Sequence, residues 1–116
     1  MASPSPDAAI EILNDVTPTT GSYSGNPVLC PGSNHVEVFV VTTAGDGSIT
    51  VTVSPIEAVS GTVMETYTTS ALTGADTGVI LLDYEGTNKI IGDSLNIAWT
   101  VSGSITGVYI RLMKKK

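Results

Sequence analysis

The chain has 116 residues and a formal charge of −6, a length that corresponds to one domain on a scale of about 100 to 200 residues per domain. Thr, Val and Ile supply 39 of those residues, and side chains branched at Cβ fit a pleated, half-buried surface better than a helical turn, so the composition points to an all-β fold. The single cysteine, Cys30, excludes an intramolecular disulfide or CxxC zinc site, the single histidine, His35, excludes a multi-histidine metal centre, and five Lys plus Arg against eleven Asp plus Glu argue against a nucleic-acid partner.

Residues 1–9 are predicted to be an extended N-terminal arm. Pro4 and Pro6 alternate with Ser3 and Ser5, fixing φ and removing ladder donors. The start of the chain has no cationic stretch followed by an apolar run, which predicts synthesis in the cytoplasm without a secretory signal. No segment approaches the roughly 20 apolar residues of a membrane helix, so no membrane partner is expected.

Residues 10–113 are predicted to form one β domain. A first strand covers Ile10 to Val16, Thr17 to Asn26 is a loop by composition, and Pro27 to Cys30 is a short strand that Pro27 confines to an edge or a strand start. After the turn at Pro31-Gly32-Ser33-Asn34, His35 to Thr43 places Val36, Val38 and Val40 on one face and Glu37, Phe39 and Val41 on the other. Ala44-Gly45-Asp46-Gly47 carries a hairpin signal. Ile49, Val51 and Val53 then alternate with Ser48, Thr50, Thr52 and Ser54 up to Pro55, which should stop the ladder.

Gly61 to Ser70 alternates weakly, Gly74 to Gly78 reads as a loop, and Val79 to Tyr84 reads as a short buried strand. Leu95, Ile97, Trp99 and Val101 alternate with Asn96, Ala98 and Thr100. Past Ser102-Gly103-Ser104, Val108, Ile110 and Leu112 alternate with Tyr109, Arg111 and Met113. Seven or eight short strands spaced by turns predict an antiparallel β-sandwich or jelly roll, with Trp99 as the largest core side chain. Lys114, Lys115 and Lys116 read as a basic C-terminal tail.

The residues offer little chemistry. Asp76-Thr77-Gly78 is the aspartic-protease triplet, but no apolar strand precedes it and Ile90-Ile91-Gly92 follows too closely to be that family's second element. Asp46, Asp83, Glu85 and Asp93 sit in or beside turns, where Asp is expected for its own backbone bonds, and their spacing matches no calcium loop. Cys30 reads as a small hydrophobe and His35 as a surface or strand-end histidine; together they lack an oxyanion donor or a third group. No catalytic residue, metal ligand or cofactor is expected.

From Ile97 to Leu112 the chain reads IAWTVSGSITGVYIRL. This resembles the closing hairpin of small all-β virion structural proteins of tailed bacteriophages, in which a WT(V/I)SG(T/S) strand and turn lead into the last strand. Val36 to Val53 is similar to their earlier VTAVSGT…LTVTV portion, whereas Gly61 to Ser70 departs from the DG…W segment found there. The resemblance implies a non-enzymatic head decoration or cement protein on the capsid surface, whose partners are the major capsid protein and copies of itself in a trimer or other small cyclic oligomer. Ser3, Pro4, Ser5 and Pro6 of the arm and Lys114, Lys115 and Lys116 of the tail are the residues expected to reach those partners. The competing expectation is a carbohydrate-binding or adhesin-type module, including a tail or neck accessory protein.

Overall fold

The computed structural model describes residues 7–57, 59–83, 86, 88 and 94–116. Ser3, Pro4, Ser5 and Pro6 lie outside the described residues. Among the described residues nine strands run in chain order: β1 (Ala8–Asp15), β2 (Gly21–Ser22), β3 (Val28–Leu29), β4 (His35–Thr42), β5 (Ser48–Ile56), β6 (Tyr67–Thr68), β7 (Asp76–Asp83), β8 (Ser94–Ser102) and β9 (Val108–Lys115). They form two antiparallel sheets, a four-stranded one in the order β1-β9-β4-β7 and a five-stranded one in the order β2-β8-β5-β6 with β3 also on β8.

The alternation in the sequence explains why the sheets stack. Val36, Val38 and Val40 of β4, with Val108, Ile110 and Leu112 of β9, line the inner face of the four-stranded sheet. Ile49, Val51 and Val53 of β5, with Leu95, Ile97 and Trp99 of β8, line the inner face of the other. Both sets merge into one core, so the molecule is a β-sandwich. Trp99 is its largest buried side chain, and its indole Nε1 donates to the Thr19 carbonyl at 2.8 Å, satisfying the one polar atom it brings inside.

β2 and β3 behave as one interrupted strand along β8. They pair with Trp99 and Ala98, then with Leu95 and Ser94. At the interruption, the Asn26 side chain takes the place of a backbone partner, donating to the Ile97 carbonyl at 2.9 Å and accepting from the Ile97 amide at 3.0 Å. With these two counted together, only the β5–β6 connection stays within a sheet and every other one crosses, which is the strand order of a jelly roll.

That order corrects two local expectations. The Asp-Gly turn at residues 44–47 does not close a hairpin, because β4 pairs with β7 and β9 while β5 pairs with β8 and β6. The turn at residues 102–107 likewise joins strands of different sheets. The two crossings lie side by side and bond to each other, with Thr106 N donating to the Ala44 carbonyl at 2.8 Å and Gly47 N to the Ser104 carbonyl at 2.8 Å. Glycine is required at both positions of close approach. Gly45 has φ of 121°, and a Cβ on Gly47 would overlap the Ser102 carbonyl oxygen. Two strands that alternate in the same phase satisfy a hairpin or an arch equally well, and only their long-range partners decide.

Other differences have similar causes. Pro55 stays within β5, opposite Leu95, because its carbonyl accepts from Met64 N at 2.9 Å; the missing N–H therefore falls on the side of the strand that β8 does not use. β7 begins at Asp76, inside the expected loop. It is an edge strand with Val79 and Leu81 exposed, not a buried one. In the Gly61–Ser70 stretch only Tyr67 and Thr68 form a strand. Ala8 and Ala9, expected in the arm, open β1.

Candidate functional site

The three C-terminal lysines do not form a tail. Lys114 falls in phase with Val108, Ile110 and Leu112, so β9 carries it to the inner face. There it is 4% exposed and its Nζ donates to the Leu29 carbonyl, tying the two sheets together. Lys115 and Lys116 are exposed, and Lys116 N donates to the Asp7 carboxylate at 2.7 Å. Of the residues expected to reach a partner, these two lysines are the ones the described structure leaves on the surface.

The residues weighed for catalysis or metal binding are dispersed. Cys30 is buried in the core. His35 lies on the outer face of the four-stranded sheet, its Nδ1 2.5 Å from Asp83 Oδ1, in register across β4 and β7. Asp76 bonds the amide of its own neighbour Thr77 at 2.8 Å. Glu85 and Asp93 lie outside the described residues, and among the described residues no three His, Cys, Asp or Glu side chains gather.

Among the described residues, the outer face of the four-stranded sheet carries an arginine without a full set of partners and several exposed or half-exposed apolar side chains. Strand register sets its side chains in rows that run across β1, β9, β4 and β7. The central row is Glu11, Arg111, Phe39 and Val79. On one side lies a row of Ala9, Met113, Glu37 and Leu81, and on the other a row of Asn14, Tyr109, Val41 and Thr77. His35, Lys115 and Asp83 close one end. A shallow depression of about 340 Å³, lined by Val41, Thr42, Ala75, Asp76 and Thr77, lies at the other.

Arg111 is the focus of this face. Its guanidinium carbon lies 5.6 Å from the Phe39 ring centroid, a cation–π arrangement. Its Nη2 is 3.9 Å from Glu37 Oε1, too long for a hydrogen bond, and its Nε is closed off from water with no partner among the described residues. Glu11, the cross-strand neighbour on the other side, accepts instead from Asn14 Nδ2 at 3.1 Å. A planar fork of five donors thus sits on an acidic protein with most of its hydrogen-bonding capacity unspent. It can receive a carboxylate in two-pronged fashion, with apolar Phe39, Val79 and Met113 around it to exclude water.

Two further placements bear on function. Trp99 is committed to the core and cannot serve as a platform for a sugar ring. Glu57, in the connection after β5, accepts from the Ser60 hydroxyl and amide at 2.7 Å each and from the Val59 amide at 3.1 Å; these donors hold its carboxyl below the usual carboxylate range.

No family model, no curated protein and no solved structure matches the chain. The assignment therefore rests on its own residues. Arg111, Phe39 and Val79 escaped notice in the sequence because they are distant in the chain and meet only through register. One signal was present: β4 and β9 carry Phe39, Val41, Tyr109 and Met113 in the phase opposite the core, where a solvent face is polar.

Proposed function

We propose that the chain is a non-enzymatic binding protein of a tailed-phage virion, a decoration or cement protein that docks on the outside of the head lattice. The observation that carries this reading is the central row of the outer face, in which an under-partnered Arg111 stacks on Phe39 beside exposed Val79. Arginine and aromatic residues are enriched at the centres of protein interfaces, and a few such anchors supply most of the binding energy. The resemblance of Ile97–Leu112 to the last strands of such virion proteins supplies the class of partner. The likeness now lies in a strand, an inter-sheet crossing and a strand.

In this reading the partner is a major capsid protein that presents a carboxylate to Arg111, and the chain acts as a rigid wedge between or upon lattice subunits. It is made in the host cytoplasm, works on the virion surface and associates with copies of itself in a small cyclic assembly. Rigidity suits the task, because docking a preformed sheet face orders few side chains. The test is to mix the purified protein with undecorated capsids of the virus that encodes it. Saturating density at one lattice position and a raised capsid melting temperature are expected. Failure to bind those capsids at any concentration overturns the reading.

A further inference from the structure

The four-stranded sheet has two edge strands, β1 and β7, and they are protected unequally. β1 carries a register break between Glu11 and Leu13 and the polar side chains of Glu11, Asn14 and Asp15. β7 pairs with β4 in unbroken register over eight residues, and from Thr77 to Leu82 it contains neither charge nor proline. Native proteins blunt exposed edges with bulges, charges or prolines, because an open ladder recruits another strand.

Backbone accounting shows what is open. The odd-numbered residues of β7 turn their N–H and C=O groups away from β4. Asp83 N donates to the Asn88 carbonyl at 2.9 Å, and Asn88 Nδ2 donates to the Leu81 carbonyl at 3.2 Å. Thr77 N is taken by the Asp76 carboxylate. Between Thr77 and Leu81 this leaves the Thr77 C=O, both groups of Val79 and the Leu81 N–H with no partner among the described residues.

These four groups complement themselves about a two-fold axis at Val79. We propose that β7 pairs antiparallel with β7 of a second copy of this chain, merging two four-stranded sheets into one of eight strands. Val79 N–H donates to the partner copy's Val79 C=O and the reverse, and each Leu81 N–H donates to the opposite Thr77 C=O. The two outward groups excluded from this set, Thr77 N–H and Leu81 C=O, are those already satisfied within the chain.

Charge selects the same direction. The paired stretch ends at Thr77 and Leu81, because Asn88 already occupies the outward side of Asp83; antiparallel pairing keeps the aspartates of the two copies apart, whereas parallel pairing would set each aspartate beside its own copy. On the outer face Val79 meets Val79, extending the apolar row from one Phe39 to the other. The contact is isologous, so it closes as a dimer and does not run on as a fibre. It places two Arg111-centred faces on one continuous sheet, the geometry for two-point attachment to a repeating surface. The pairing stands independently of the capsid assignment.

The test is sedimentation equilibrium of the full chain, with hydrogen exchange of its amides. The mass is expected to double from 11.9 kDa as concentration rises, with the Val79 and Leu81 amides slowing in step while the β1 amides do not. Val79→Pro removes an outward N–H without touching the β4 ladder, and Val79→Lys sets two cations opposite each other. Each is expected to weaken dimerisation by roughly tenfold or more, with the far-ultraviolet spectrum reporting that the variant remains folded. A monomer at every concentration overturns the proposal. So does a dimer that survives both substitutions, a dimer abolished by Arg111→Ala alone, or a monomer that takes up an added peptide strand at β7 in preference to its own copy.

Discussion

The two faces of the four-stranded sheet are made by the same strands one residue out of phase, and they use their side chains differently. On the inner face Val36, Val38 and Val40 are wholly shut off from water and interlock with the residues of β9 and the opposite sheet. On the outer face His35, Glu37, Phe39 and Val41 are half-exposed and lie in cross-strand rows with no second layer over them among the described residues. On the inner face apolar groups meet apolar groups, and the cation buried there, Lys114, donates a hydrogen bond to the Leu29 carbonyl. The outer face is unsaturated, with an arginine that has more donors than partners. Stabilising contacts are therefore concentrated on one side of a single layer and uncommitted polar and apolar groups on the other.

Substitutions can break or sharpen that contrast. The largest effect is expected from Ile110→Ala on the inner face of β9, where loss of a fully buried side chain costs about 2–5 kcal/mol in urea unfolding. Gly47→Ala comes next. It pushes apart the two inter-sheet crossings and should cost about 1–3 kcal/mol; a neutral result would contradict the close approach of Gly47 to Ser102. Lys114→Ala strands the Leu29 carbonyl and should cost a comparable 1–3 kcal/mol or about that, while Lys115→Ala, one residue along on the outer face, should stay within about 0.5 kcal/mol. Equal effects of the two lysines would erase the distinction between faces.

The smallest effect belongs to Glu57, away from both faces. Its folded-state carboxyl is held below its ordinary value of 4.5 by donors from Ser60 and Val59. The order it gives the turn is thus complete at neutral pH and is lost as pH falls below that value through the lowered one. Glu57→Gln should remove this acid dependence from hydrogen exchange at Ser60 while leaving the neutral-pH melting temperature nearly unchanged.

The inner face was legible in the chain, because period-two alternation at Val36–Val40, Ile49–Val53, Leu95–Trp99 and Val108–Leu112 reports burial directly. It extends to Lys114, whose phase announced a buried stem that its charge concealed. Pairing was not legible. The Asp-Gly at 46–47 has the chemistry of a hairpin turn, yet long-range ladders place β4 and β5 in different sheets. The same gap hid the outer-face row, since Glu11, Arg111, Phe39 and Val79 come from four separate strands and no local pattern joins them. The apolar run of β7 fits a central strand and an edge strand equally well, and only the sheet order, with β4 as its neighbour, decides for the edge.

The most direct test of recognition by the outer face is titration of undecorated capsids with the wild-type protein and with Arg111→Ala, each also followed by thermal unfolding. Loss of the arginine should change the protein's own stability by less than about 1 kcal/mol, because its ion pair with Glu37 is loose and solvent-accessible. It should weaken capsid binding by about 2 kcal/mol or more, the scale of an interface anchor. Binding that persists at wild-type affinity in a folded Arg111→Ala protein would contradict the assignment of this face.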